Sequence, residues 1–246
     1  MWIFLLIVLA VVVYFVLSQA SNSNQASKAS SQNYTNQVDY SNLEITSLDS
    51  SVSDHYNYRH LRDLLAEGKW READEETGRL MFAVGYLTAE KKIQDGKWTH
   101  AGPDSNRLRM AHLWYFPCKD LCTIDRLWLK YSNGRFGFSV QKRIMSEIGN
   151  DALSILVLGR DGPSTLKQRM QITDTFDKLV GWYTPPSEES ASTCKTYKDF
   201  TFSINAPYGH LPSLHYDREK MYDKKVLGCF LTTDILHRLS SCGIAL

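Results

Sequence analysis

The chain has 246 residues, of which 43% are hydrophobic, and its 28 basic and 27 acidic side chains give a formal net charge of +1. A net charge this close to zero excludes the global basic field that drives non-specific binding to nucleic acid. The five cysteines are an odd and sparse set, unlike the dense framework of a small disulfide-rich domain, so we expect buried free thiols and a reducing compartment.

The first feature in chain order is an apolar run from Trp2 to Leu17. As a helix, its sixteen residues span roughly 24 Å, slightly less than the ~30 Å core of a bilayer. A secretory signal normally begins with a positive region, and no Lys or Arg precedes this run. An uncleaved membrane anchor over residues 1–18 is therefore favoured over a cleaved signal. Lys28 follows the run, which favours the cytoplasmic or stromal side for the rest of the chain.

A polar spacer follows the apolar run. From Ser18 to Gln37, fourteen residues are Ser, Asn or Gln and one is charged. Such a composition cannot bury enough apolar surface to fold, so we predict a disordered linker over residues 19–56. About 190 residues remain, residues 57–246, which is enough for one domain with its own core.

Two amphipathic helices begin the predicted domain. The first runs over Tyr58–Ala66, Gly68 ends it, and the second runs over Lys69–Val84 with apolar residues at helical spacing. Helices joined by so short a turn pack as an antiparallel pair. The opposite face of the second helix is acidic and carries Glu72, Asp74, Glu75 and Glu76.

The middle of the domain is predicted to contain a loop and two further helices. The loop spans Asp95–Arg107, which is rich in Gly, Pro, Asp and Asn. Helices are predicted over Lys119–Lys130 and Phe136–Ile148, with Asn133-Gly134 as the turn between them. The spacing of four apolar residues is typical of helix packing, so we expect core positions for Leu127, Trp128, Phe136 and Phe138.

The last third of the chain is predicted to hold two helices, over Leu166–Leu179 and Val226–Cys242. Between them lie a loop, Thr184–Thr196, and a segment whose alternating apolar residues indicate a short extended stretch, Phe200–Ile204. Because helical periodicity dominates throughout, the predicted fold class is all-α or nearly so.

One stretch of the chain has a local excess of basic side chains. Between Lys119 and Met145, six residues are basic and two are acidic. Two interpretations have equal weight: a site for a small anionic ligand, and an ordinary solvated helix face.

Motifs of catalysis and metal binding are not found. The sequence has no serine-hydrolase, zinc-protease, phosphate-loop or dinucleotide motif. His210 and His215 are candidates for an axial ligand of a metal porphyrin or for a catalytic base, although a turn histidine bonded to backbone is the commoner case. Cys118 and Cys122 are four residues apart, but no two further zinc ligands occur at a recognisable spacing.

Two strings carry a family resemblance: FPCKDLCTIDRLWLKYSNGRFGFSVQKRI (residues 116–144) and FTFSINAPYGHLP (residues 200–212). They resemble the genomes uncoupled 4 (GUN-four) domain, and the likeness covers roughly residues 58–245. The resemblance implies an all-helical, cupped-hand domain with an apolar palm that binds protoporphyrin IX and its magnesium form. It also implies a regulator rather than an enzyme, with no required cofactor and with the large subunit of magnesium chelatase as partner.

The resemblance also suggests site residues. A porphyrin is a flat apolar disc with two propionates at one edge, so its site needs an apolar surface and cations at the rim. The expected palm residues are Trp182, Phe200, Phe202, Ile204 and Leu211. Pro207 and Gly209 are expected to shape the adjoining loop, and the candidate propionate-binding cations are Arg218, Lys220 and Arg135.

Three departures from the family pattern leave alternatives open. Family members tend to carry Arg where this chain has Cys122, and their linker before the Phe-Thr-Phe segment is shorter and carries Trp. The chain also has the predicted membrane anchor, residues 2–17, where relatives have other segments. The alternatives are a paralogue that binds a linear bilin and a membrane-tethered protein-interaction adaptor without pigment. A weaker third is an enzyme that depends on His210 or His215.

Overall fold

The computed structural model describes residues 39–96, 113–149, 151–158, 166–184, 193–214 and 230–244. All of these residues belong to one compact unit that begins at Asp39. Within these ranges, no helix combines the length and the apolar character needed to cross a bilayer. The predicted anchor, residues 2–17, lies outside the described residues, as does the predicted linker up to residue 38.

The described residues form a predominantly helical domain, which confirms the predicted helical fold class. The one sheet among them is a two-residue antiparallel hairpin of β1 (Tyr183–Thr184) and β2 (Thr193–Cys194), in which Tyr183 pairs with Cys194. Short 3-10 helices lie at Tyr40–Asn42 and Tyr197–Asp199. The α-helices are α1 (Arg59–Ala66), α2 (Trp70–Gln94), α3 (Cys118–Ser132), α4 (Phe138–Ile148), α5 (Ala152–Leu158), α6 (Leu166–Val180) and α7 (Phe230–Ser241).

The first two helices form the predicted pair around Gly68, whose φ of +70° suits the left-handed turn. Helix α2 continues to Gln94, ten residues beyond the predicted end at Val84. No Gly or Pro interrupts the residues from 86 to 94, and Thr88 bonds back to the carbonyl of Val84 at 2.7 Å. Good helix formers therefore extend the helix past its last strongly apolar turn.

Two of the four carboxylates on the predicted acidic face of α2 are buried. Glu76 accepts two hydrogen bonds from Arg79, both at 2.6 Å. Asp74 is fully buried and bonds to Ser213, far along the chain. A buried charge is tolerated where it is fully hydrogen-bonded, so these two residues depend on partners that helical periodicity does not reveal.

Helices α3 and α4 supply the centre of the core. Leu127, Trp128, Phe136 and Phe138 are all buried, as predicted. The indole N–H of Trp128 donates to the hydroxyl of Thr77 on α2 at 3.0 Å, which satisfies the polar atom of a buried ring. The predicted Asn133-Gly134 turn is confirmed, since both residues have positive φ.

Three further helices, α5, α6 and α7, belong to the described part of the domain. Helix α5 was not predicted, and its seven residues are too few to show a periodic pattern. Helix α7 packs against α4 and α5. Its described part begins at Phe230, so the predicted start at Val226 lies outside the described residues.

Residues 39–56, here called the strap, run along the surface of α3. The linker was predicted over residues 19–56, so the strap corresponds to the last eighteen residues of that prediction. The amide and hydroxyl of Ser51 both donate to the buried carboxylate of Asp120, which also accepts from the hydroxyl of Tyr58. Three α3 side chains donate to strap carbonyls: Thr123 to Ser47 at 3.2 Å, Arg126 to Glu44 at 3.1 Å and Lys130 to Leu43 at 3.2 Å.

A disulfide joins Cys118, the first residue of α3, to Cys242, which directly follows α7. The expectation of free thiols is therefore wrong for this pair, while Cys122 is free and half-buried. Disulfides persist in oxidising environments, so the expected reducing compartment no longer follows from the cysteines. No local pattern indicated this pairing, because the two cysteines lie 124 residues apart.

Candidate functional site

A row of five aromatic side chains connects the core to the surface. The rings of Phe176 and Trp182 lie 5.7 Å apart, and those of Trp182 and Phe200 lie 6.1 Å apart. Phe202 ends the row, with its ring centroid 5.1 Å from that of Tyr197 and 6.4 Å from that of Phe200. Phe176 and Trp182 are fully buried, whereas Phe202 is only half-buried. The aromatic row therefore presents one ring to the surface.

Arg71 lies against this exposed end. Its guanidinium carbon is 4.1 Å from the ring centroid of Phe202 and 5.4 Å from that of Tyr197, within the range of cation–π attraction. The residue is exposed and lies in the first turn of α2. Ile204, with 40% of its surface exposed, follows Phe202 two positions later. A cation and an aromatic ring thus lie close together at the surface, and an exposed isoleucine follows in the same segment.

Residues 205–214, here called the clamp segment, are held by hydrogen bonds to several helices. The amide of Gln141 on α4 donates to the carbonyls of Gly209 and Pro212, at 2.9 and 2.8 Å. Gly209 has a φ of +69°, and a Cβ there would lie only 2.7 Å from the Ile144 side chain. Glycine suits this position because its φ is positive and the side chains of α4 pack against it. The clamp segment is a rigid support for the residues that precede it.

His210 is a structural member of the clamp segment. Its Nδ1–H donates to the carbonyl of Val180 at 2.6 Å, and its Nε2 accepts from the amide of Thr201 at 3.2 Å. Burial lowers its pKa to about 4, so the ring is neutral near pH 7. Both nitrogens are occupied, which confirms the favoured prediction of a backbone-bonded histidine and leaves neither nitrogen for a metal or a substrate proton. His215 lies outside the described residues.

Asp74 fixes the other end of the clamp segment. Its carboxylate accepts from the amide of Ser213 at 2.6 Å and from the hydroxyl of Ser213 at 2.7 Å. Burial raises the pKa of Asp74 to about 6, and hydrogen bonding from Ser213 and Tyr197 acts in the opposite direction. The same Tyr197 packs under Phe202 and Arg71, so the clamp segment and the exposed aromatic end share a support.

Six basic residues were predicted to form an anion site or a solvated helix face. The side chains of four of them donate hydrogen bonds to backbone carbonyls instead. Besides Arg126 and Lys130 on the strap, Lys142 donates to the carbonyl of Ile244 at 3.0 Å and Arg135 to that of Ala206 at 2.7 Å. These contacts fasten the strap, the C-terminal end and the clamp segment. Within the described ranges, no group of three or more His, Cys, Asp or Glu side chains is arranged to hold a metal.

The family model described as GUN4-like matches residues 51–227 of this chain. The chain belongs to the GUN4-like family. The match extends from Ser51 in the strap to Leu227, so it includes the aromatic row, Arg71 and the clamp segment.

Curated relatives of this GUN4-like chain come from a cyanobacterium and from a plant. The chain is similar to a Ycf53-like protein of Synechocystis, with 31% identity over 53% of this chain and 46% of the relative. It is similar to a chloroplastic protein of Arabidopsis thaliana named tetrapyrrole-binding protein, with 28% identity over 71% of this chain and 55% of that protein. The chain spans about half the length of these curated relatives.

Two solved GUN4 structures are also similar to this chain. The ligand-free structure of Arabidopsis thaliana GUN4 has a TM-score of 0.43 and 24% identity, over 73% of this chain and 93% of that one. The structure of GUN4 from Chlamydomonas reinhardtii has a TM-score of 0.45 and 22% identity, over 81% of this chain and 97% of that one.

In this GUN4-like domain, the predicted site residues fall into three groups. Half-buried or exposed positions are occupied by Phe202, Ile204, Pro207 and Arg135, and buried positions by Trp182, Phe200, Gly209 and Leu211. Arg218 and Lys220 lie outside the described residues. Only the first group has surface that a ligand could reach in this arrangement, while Trp182 and Phe200 support it from behind. Their contacts with a ligand stay predictions.

Arg135 was predicted to bind a propionate at the rim of the site, but its guanidinium is already engaged within the domain. Its side chain donates to the carbonyls of Ala206 and Asn205, and its guanidinium lies 4.5 Å from the ring centroid of Tyr208. It therefore shapes the clamp segment and retains little capacity for a bidentate contact with a carboxylate.

Arg71 and Tyr197 were missed from the sequence. One signal for Arg71 was available, because a cation in the first turn of a helix opposes the helix dipole and calls for a compensating contact. Nothing in the sequence connects Arg71 with Phe202, 131 positions later. Their proximity arises only when α2 packs beside the clamp segment.

Proposed function

We propose that this chain binds a tetrapyrrole at the exposed end of the aromatic row and acts as a non-enzymatic carrier or regulator. The observation that carries the proposal is the match to the GUN4-like family over residues 51–227, which contains this surface. The name of the Arabidopsis relative, tetrapyrrole-binding protein, supports the ligand class.

The surface chemistry fits such a ligand. Phe202 offers apolar area to one face of a flat macrocycle, Ile204 adds an exposed apolar side chain in the same segment, and each Å² removed from water contributes roughly 25 cal/mol. Arg71 offers a cation beside that area, suited to a carboxylate at the ligand's edge. The clamp segment, fixed by Asp74, Gln141 and His210, holds the adjoining backbone in place without ligand.

The proposed ligands are protoporphyrin IX, its magnesium form or a linear bilin. The proposed client is the large subunit of magnesium chelatase, to which the domain would present substrate or product. In the same proposal, residues 2–17 tether the domain to a membrane, with the domain on the cytoplasmic or stromal side. The chloroplastic and cyanobacterial relatives support an origin in a plastid or a cyanobacterium.

The test is a titration of the full chain with the three pigments, followed by tryptophan quenching and by the shift of the pigment's Soret band. We expect saturable binding to at least one pigment and roughly tenfold weaker binding for Phe202→Ala, since truncation removes about 1.4 kcal/mol or more of apolar contact. Phe82→Ala, which removes another half-buried phenylalanine ring, is the matched control and should bind as wild type.

Two outcomes would overturn parts of the proposal. If no pigment binds, the tetrapyrrole proposal fails and the protein-interaction adaptor replaces it. If a pigment is converted to product rather than released unchanged, the non-enzymatic role fails instead.

A further inference from the structure

The side chain of Arg71 has an unusual combination of contacts. It stacks on Phe202 and Tyr197, yet its guanidinium makes no hydrogen bond and no ion pair with any other residue in the described ranges. By contrast, Arg79, two turns further along α2, is held by two hydrogen bonds to Glu76. The donors of Arg71 are therefore not used within the described part of the domain.

This position is electrostatically costly without a partner. The first turn of a helix carries a partial positive charge, so a cation at an exposed position there is disfavoured. Glu72 is adjacent in sequence, but no ion pair joins it to Arg71. An anion bound at Arg71 would also face this positive helix end, which would reverse the sign of the interaction.

Stacking on the two rings prepares the guanidinium for binding. A flexible arginine side chain loses rotamer entropy when it binds a ligand, and an arginine already held against an aromatic ring loses less. The planar guanidinium binds a carboxylate through two parallel hydrogen bonds, which a lysine ammonium cannot reproduce. Phe202 thus offers apolar surface to a ligand and at the same time orients the cation beside it.

We infer that Arg71 is the carboxylate-binding residue of this site, and that the site selects planar apolar ligands carrying a free carboxylate at one edge. The ring system of the ligand lies against Phe202 and Ile204, and its carboxylate accepts hydrogen bonds from Arg71. This inference rests on the proposed function and names the ligand group that the site recognises.

The experiment compares protoporphyrin IX with its dimethyl ester, which keeps the macrocycle and removes both charges. Both ligands are titrated into the full chain carrying wild-type Arg71, Arg71→Gln or Arg71→Lys. We expect the wild type to prefer the free acid by about tenfold or more, the size of one good charge-assisted contact. Arg71→Gln should lose that preference by weakening binding of the acid alone, and Arg71→Lys should keep part of it.

The matched control is Arg62→Gln, a partly exposed arginine on α1 that pairs with the neighbouring Asp63. It should keep the preference of the wild type. Far-UV circular dichroism of each variant shows whether the helices are intact, and Arg71→Lys keeps the test valid if Arg71→Gln fails to fold.

Three results would overturn the inference. Equal weakening of acid and ester by Arg71→Gln would assign Arg71 to packing on Phe202 rather than to recognition of charge. An unchanged preference in Arg71→Gln, or equal wild-type affinity for acid and ester, would place the carboxylate elsewhere while leaving tetrapyrrole binding intact. If wild type binds neither ligand nor any other pigment, the proposed function itself fails.

Discussion

Asp74 on α2 and Ser213 in the clamp segment are joined by two hydrogen bonds, from the amide at 2.6 Å and from the hydroxyl at 2.7 Å. Both residues are fully buried and lie 139 positions apart. This contact is the direct polar link between the N-terminal helix pair and the segment that supports the candidate site. The link should therefore matter both for stability and for its pH dependence.

Removing this carboxylate should destabilise the domain. In Asp74→Ala the amide and hydroxyl of Ser213 remain buried without their acceptor, and each unsatisfied group costs ~1–3 kcal/mol. We expect the free energy of unfolding to fall by about 2–4 kcal/mol in chemical denaturation. Asp63→Ala, which removes an exposed carboxylate on α1, should change it by less than ~0.5 kcal/mol. Equal effects of the two variants would contradict a structural role for the buried pair.

The pH dependence of stability should contain two opposing contributions. The pKa of His210 is lowered to about 4 in the folded protein, so its contribution to stability is present above the ordinary value of 6.5 and is lost as the pH falls toward 4. The pKa of Asp74 is raised to about 6, so its contribution is largest below the ordinary value of 3.8 and is lost as the pH rises through 6. Each of these two contributions is on the order of 3 kcal/mol.

Because these contributions have opposite signs between about pH 4 and 6, they partly cancel in the wild type. Asp74→Asn removes one of them and should expose the His210 contribution. We expect its free energy of unfolding to fall more steeply than that of the wild type when the pH is lowered from 7 to 5. Denaturation at three pH values measures the slopes. Parallel curves for wild type and variant would show that Asp74 does not titrate in this range.

Helix positions were the most predictable part of the fold. The spacing of apolar residues located α1, α3 and α4 because each buries one face against its neighbours. Helix α5 was not predicted, because its sequence, ALSILVL, is apolar on nearly every side and shows no helical periodicity. The alternation at Phe200–Ile204 predicted an extended stretch. No strand forms there in the described residues, since no neighbouring strand pairs with it.

Buried polar contacts were the least predictable part. The periodicity of α2 located its four carboxylates on one face but did not indicate that Ser213 bonds to Asp74 or that Arg79 bonds to Glu76. The disulfide and the stack of Arg71 on Phe202 likewise join residues more than 120 positions apart. A local pattern in the sequence contains no information on such pairs, because packing of the helices alone brings them together.

The disulfide between Cys118 and Cys242 should stabilise the attachment of α7. It closes a loop with a sequence separation of 124 residues, and a long loop loses much entropy when its ends are joined. We expect the double variant Cys118→Ser/Cys242→Ser to lose about 2–4 kcal/mol of unfolding free energy. Hydrogen exchange in α7 should rise more than elsewhere, although Arg238 still donates to the carbonyl of Phe116 at 2.8 Å.

The control for this prediction is Cys122→Ser, which changes the half-buried free thiol on α3 and should leave the disulfide intact. Treatment of the wild type with a reductant should reproduce the double variant, and reductant should have no effect on the double variant itself. A wild type whose stability is insensitive to reductant would show that the disulfide does not form in solution.

The strap should be displaced by a methyl group at Gly134. This glycine has a φ of +72°, and a Cβ on it would overlap the ring of Tyr40 in the strap. Gly134→Ala should therefore cost about 1–2 kcal/mol for the left-handed backbone and a further amount for the displaced ring. Limited proteolysis within residues 39–56 and chemical denaturation measure the two effects. Gly96→Ala is the matched control, because Gly96 has a φ of +66° and open space around its Cβ position.

A double variant separates backbone strain from the clash. In a Tyr40→Ala background the overlapping ring is gone, so Gly134→Ala should cost no more than Gly96→Ala does in the wild type. It should also cause no additional cleavage of the strap. An equal cost of Gly134→Ala in both backgrounds would mean that the two residues are not coupled, and the strap would then not lie against the α3–α4 turn in solution.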